Sequence, residues 1–145
     1  MSARTHFIIL LLLLSVAGLS SAQSLEEMKA RAEAAGGTKQ IELYADLARK
    51  ALEVADQEYT SGNVAQGQAH FFDSATYAEK ASEEARQSGK RLKQTEISLR
   101  KLAEKMQEIK RSLSVEDRSP IEPAIQRVEQ ARNKLLERMF GKEAR

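Results

Sequence analysis

From residue 23 onward the chain has no proline before Pro120, and its glycines before that point fall only at 36, 37, 62, 67 and 89. Ala, Glu, Lys, Arg, Leu and Gln dominate the stretches between, and these side chains lose little rotamer freedom in a helix. Such a chain is restricted to an all-α fold cut at its few glycines. Ser24-Leu25-Glu26-Glu27 has the form of a capping box, in which serine and glutamate satisfy free N–H groups at a helix start. Gly36-Gly37 closes that short first helix. Thr38 is expected to cap a second, ending near Thr60 before Gly62, and Asn63 opens a third that reaches Ser88-Gly89. A fourth covers about residues 90–113. Ser119-Pro120-Ile121-Glu122 reads as another capping box, starting a fifth that stops at Gly141.

The last four segments are each about 20–25 residues, roughly 30–38 Å at 1.5 Å per residue. Similar lengths and short turns predict an antiparallel up-down four-helix bundle with a short extra N-terminal helix. A looser array of helical hairpins is the alternative. The fourth segment has the clearest core pattern. Leu92, Leu99, Met106 and Leu113 recur every seven residues, with Thr95, Leu102 and Ile109 interleaved. About three heptads suit an internal bundle seam better than a dimer zipper.

The second and third segments form a hairpin around Ser61-Gly62-Asn63. Ala48, Ala51 and Ala55 face Phe71, Ala75 and Ala78, small residues that let two backbones approach. Gly62 near the turn, Gly67, Phe71 and Ser74 fall at intervals that resemble a single tetratricopeptide-type hairpin, over about residues 45–80. The resemblance implies a helix–turn–helix unit. No second copy follows at the 34-residue period of that family, so it implies no solenoid and no peptide groove.

Residues 1–22 carry a separate instruction. Arg4 precedes the unbroken apolar run Phe7–Leu14, Ser15–Leu19 extends it, and Ser20-Ser21-Ala22 offers the small residues a signal peptidase reads. The expectation is a cleaved secretory leader, with the cut between Ala22 and Gln23, and a periplasmic or extracellular product. The apolar stretch is shorter than the ~20 residues of a membrane span. An uncleaved anchor is the alternative. The remaining 145 − 22 = 123 residues make one domain. They contain no cysteine, so the core must stabilise the protein without disulfides.

Without Arg4 the chain has 22 basic and 21 acidic residues, a balance that speaks against nucleic acid as a partner. The distribution is uneven. Residues 90–111 hold eight bases against three acids, while residues 25–60 hold five against eight. Lys90, Lys93, Arg100, Lys101, Lys105 and Arg111 are expected on one face opposite the Leu/Met seam, with Ile97 among them. That face is a candidate docking surface for an anionic envelope, lipid or polysaccharide.

The second segment has a wide apolar arc. Ile41, Tyr44, Ala48, Leu52, Ala55 and Tyr59 form one stripe, and Leu43, Leu47 and Val54 another about 100° away. The second stripe is covered either by the first helix, through Leu25, Met28 and Ala32, or by a protein partner or second copy. His70, the one histidine after the leader, can share a patch with Asp73 and Tyr77. A solvated face explains these three better than a metal or acid–base site does. No nucleophile elbow, phosphate loop or His-Glu-x-x-His occurs. The expectation is a non-enzymatic interaction or scaffold protein without a cofactor.

Overall fold

The computed structural model describes residues 16–141, with side chains from residue 24 onward. Among the described residues every regular element is helical. They are α1 (Val16–Ala34), α2 (Gly37–Thr60), α3 (Val64–Ser88), α4 (Leu92–Ser112), the single turn α5 (Val115–Arg118), a 3-10 turn (Ser119–Ile121) and α6 (Glu122–Phe140). Arg4 and the apolar run Phe7–Leu14 lie outside the described residues, and the expected junction Ala22–Gln23 falls within α1. No described helix is long and apolar enough to cross a membrane.

The α2–α3 turn falls where expected, with Gly62 at φ 81 supplying the left-handed residue. Four other ends differ. Thr38 caps nothing, because α2 starts at Gly37 with Gly36 as its N-cap. Ser24 caps nothing, because α1 is already under way from Val16. α4 begins at Leu92 instead of Lys90, since Gly89 (φ 69) and Arg91 (φ 54) both take left-handed backbone and interrupt the helix. Ser119 opens the 3-10 turn without a side-chain cap, and α6 starts at Glu122 with Pro123 in its first turn. The α4–α6 link thus contains an additional helical turn that sequence did not suggest.

The main core gathers Ala48, Leu52 and Ala55 of α2, Phe71, Ala75, Ala78 and Ala85 of α3, the α4 seam, and Ala124, Ile125, Val128 and Leu135 of α6. Thr95, Leu99, Leu102, Met106 and Ile109 are all buried, so the seven-residue pattern is an internal seam; Leu92 and Leu113 at its ends are half-buried. Removing side chains of this size from water stabilises by about 1.5–3 kcal/mol each. Two buried serines of α3 lock it to its neighbours. Ser74 Oγ donates to the Ala48 carbonyl at 2.7 Å, and Ser82 Oγ to the Ala131 carbonyl at 2.8 Å.

Polar ties repeat the same adjacency. Arg127 makes a two-pronged pair with Glu79, at 2.8 and 2.6 Å, joining α6 to α3. Lys110 pairs with Glu122. Arg132 Nε reaches the buried carboxylate of Glu96 at 2.7 Å, joining α6 to α4. Arg91 reaches Glu42 at 3.0 Å, joining the α4 entry to α2.

A second apolar cluster lies on the other side of α2. Leu25 and Ala32 of α1 pack on Tyr44, Leu47, Ala51 and Val54, with Ala81 of α3 beneath and Met28 and Leu43 at the edge.

Candidate functional site

Two of the surfaces expected from sequence meet different outcomes. The stripe Leu43, Leu47, Val54 is not a free interaction face. Leu47 is 0% exposed, Val54 3%, and Leu43 half-buried, because Leu25 and Ala32 of α1 project onto them. The wide apolar arc of α2 is therefore satisfied from within the chain.

The six bases of the other face are all exposed: Lys90, Lys93, Arg100, Lys101, Lys105 and Arg111. Lys90 precedes α4 and does not belong to its helical face. The face is also less uniformly basic than the count of charges suggests. At about 100° per residue, Glu104 and Glu108 fall inside the arc from Arg100 to Lys105, and both are exposed. Lys105 Nζ sits 3.2 Å from Glu108, and Arg100 Nε 3.7 Å from the buried Glu96.

The feature sequence reasoning missed is a cleft between α2 and α4. Its floor is apolar, made of Ala45, Ala48 and Leu52 from α2 and Leu99 and Leu102 from α4. Its volume is about 320 Å³, near the lower end for small-molecule sites. The rims carry opposite charge. Asp46, Glu53 and Asp56 line the α2 side, where Arg49 is held between Asp46 at 3.6 Å and Glu53 at 3.2 Å. Lys101 and Lys105 line the α4 side. Both lysines are exposed, while Leu52, Leu99 and Leu102 beneath are buried. Toward the start of both helices the cleft continues into a polar recess of about 250 Å³, closed by the Glu42–Arg91 pair.

The cleft has a local cause. Where α2 meets α3, alanines face small residues and the backbones come close enough for the Ser74 bond. Where α2 meets α4, Ala45 and Ala48 face Ser98 and the flank of Leu99, which neither interlock nor fill the space. The small-residue spacing was visible in the sequence, but which helix would lie against it was not.

His70 and Asp73 do come together, with Nδ1 3.6 Å from Oδ2. That exceeds hydrogen-bond distance, and the buried Nδ1 has no partner. Tyr77 packs between the two apolar clusters, and burial, with Asp73 and Glu26 nearby, raises its pKa. No group of three or more metal-ligating side chains occurs among the described residues. A third recess, about 330 Å³ between α3 and α6, is polar and already contains the Arg127–Glu79 pair.

Comparison with protein-family models, with curated proteins and with solved structures finds no match.

Proposed function

We propose that the chain is an exported, non-enzymatic interaction protein that binds a protein partner through the α2–α4 cleft. The cleft carries this reading: its mostly apolar walls, with Ala45 partly exposed above the buried Leu52, Leu99 and Leu102, give a partner's side chain a place to lie, and rims of opposite sign fix its direction. Residues 1–22 act as the cleaved leader, which places the protein in the periplasm or outside the cell. The frame that holds the cleft is an antiparallel four-helix bundle of α2, α3, α4 and α6. Residue pairings support it. Between α2 and α3, Tyr59 touches Gly67, Ala48 meets Ser74, and Tyr44 lies under Lys80, so one number falls as the other rises. Between α4 and α6, Glu96 pairs with Arg132 and Lys110 with Glu122, in the same sense.

An anionic envelope surface is the second partner class. Exposure of all six bases on or beside α4 favours it, although Glu104 and Glu108 divide that field.

Two measurements test the reading. N-terminal sequencing of exported material should return Gln23 as the first residue; an intact Met1 or Ser2 on membrane-bound protein means a retained anchor. A photoreactive side chain at Ser98, on the cleft, should capture a partner from the envelope fraction. Ala45→Arg should abolish that capture while leaving the melting curve in place. Capture unaffected by Ala45→Arg rejects the cleft.

A further inference from the structure

The α1 docking site suggests a second partner, independent of the cleft: another copy of this chain. We propose that α1 is an exchangeable element, which can leave its own α2 and dock on the Leu47–Val54 face of a second copy, each copy covering the other.

Four observations lead to this. First, the described side chains of α1, from residue 24 on, are held by apolar packing and not by charge. Leu25, Met28 and Ala32 supply its apolar contacts, and Gln40 Nε2 donating to the Ala32 carbonyl at 3.0 Å is a side-chain tie. All ion pairs among the described residues lie outside α1, so its exchange breaks none. Second, if α1 leaves, Leu47, Ala51 and Val54 become a contiguous exposed apolar patch on one helix, a surface that favours a new cover. Third, the helix that fits this face is already in the chain. Leu25, Met28 and Ala32 stand at i, i+3 and i+7, and a second copy presents them in the same register.

Fourth, the link is short and poised. Only Ala35 and Gly36 separate the two helices, and Gly37 starts α2 at φ +61. A Cβ built at Gly36 or Gly37 meets nothing within 4 Å, so glycine is there for conformation and not for space. A short hinge held by a left-handed residue is the arrangement that favours exchange of elements between copies. If residues 35–37 become helical, α1 and α2 form one rod and α1 can no longer reach its own α2. Two such rods crossing near residue 36 on a two-fold axis, running in opposite directions, bring α1 of each copy beside α2 of the other. Glycines at the crossing point let the rods approach closely.

Cleavage after Ala22 would act on the same balance. It would leave α1 about twelve residues long, a length at which an isolated helix is marginal in water, so that docking alone would keep it folded.

The test is light scattering on the exported chain over a range of concentrations. Wild type should show a weak, concentration-dependent dimer. Gly36→Ala with Gly37→Ala should tighten that dimer about 100-fold, because alanine disfavours the left-handed turn and favours the continuous rod. Gly37→Ala alone, which removes the residue that holds the left-handed turn, should shift the equilibrium the same way by a smaller factor. Adding Leu25→Asp to either variant should return it to monomer. If both hinge variants keep their helix content and stay monomeric, the exchange does not occur. A dimer that survives Leu25→Asp uses another face and overturns the proposal equally.

Discussion

α2 is packed on two sides by rows of its own alanines, and the two sides end differently. Against α3 the fit is closed. Ala48 and Ala55 meet Phe71, Ala75 and Ala78, all essentially without exposure, and Ser74 binds the Ala48 carbonyl. Against α4 the fit leaves the cleft, lined on that side by Leu99, Lys101, Leu102 and Lys105. Small residues allow close approach only when the facing helix also presents small or interlocking groups. Otherwise they leave a space, which here is the α2–α4 cleft.

The largest expected effect lies on the closed side. Phe71 has the largest fully buried side chain, at the centre of the α2–α3 contact. Phe71→Ala should cost about 3–5 kcal/mol in urea melts, the range for an aromatic side chain lost from a core. Leu102→Ala, at the cleft floor, should also fall in the range for buried leucine, about 2–5 kcal/mol, but nearer its lower end, because the space it leaves opens to water and can relax. Equal losses at the two positions would mean that the cleft is as tightly packed as the α3 side.

A paired enlargement on α2 sharpens the same contrast. Ala55 is fully buried, and Ala55→Leu should destabilise by about 1–3 kcal/mol through overpacking. Ala45 is half-exposed on the cleft, where the same change fills space and should be neutral or stabilising by about 0.5 kcal/mol. Ala45→Leu should also compete with any partner in the cleft, so binding would fall as stability holds. A loss above 1 kcal/mol at Ala45 would show that the rims cannot open.

How far sequence reached follows the same division. The α4 seam, the α2–α3 turn and most of the alanine hairpin were legible because each depends on periodicity or on a glycine's backbone, although Ala51, expected to face α3's Phe71, packs in the α1 cluster. The early start of α1 was not, since Ser15 falls in the apolar run read as a leader and the Ser24 box pointed to a later start. Arg91 was also illegible: a long charged residue in left-handed backbone contradicts local preference, and its pairing with Glu42, 49 residues away, is visible only after folding. The cleft belongs to this second group. It comes from two helices that fail to mesh, a property of neither helix alone.

pH offers a test at the end of the closed side. The Tyr59 ring packs on Gly67, where an added Cβ would sit 2.9 Å from it. Burial, with Asp117 nearby, pushes the Tyr59 phenol up to about 12. Tyr44 and Tyr77 are raised as well, again mainly by burial. A phenol raised on folding favours the native state fully below its ordinary value near 10 and loses that contribution as pH climbs through the folded value. Stability should therefore fall between about pH 10 and pH 12. Tyr59→Phe should flatten part of that fall, and an unchanged alkaline limb would place Tyr59 in water.

The smallest effect discriminates between the two partner classes. Lys93 and Lys101 are both exposed on α4, and neither makes an ion pair among the described residues, so each change to Ala should stay within about 0.5 kcal/mol. They differ in place, because Lys101 forms part of the cleft rim and Lys93 lies outside it. A protein docked by its basic face on an anionic surface should lose affinity by similar amounts for either change. That loss should vanish with added salt, as the Debye length contracts from about 30 Å at 0.01 M to about 8 Å at 0.15 M. A partner held in the cleft should respond to Lys101→Ala and ignore Lys93→Ala, and the apolar floor should keep part of the affinity at high salt. We expect the second pattern, since Glu104 and Glu108 already dilute the field that the first requires. Equal, salt-erased losses in sedimentation with anionic vesicles would transfer the function from the cleft to the surface of α4.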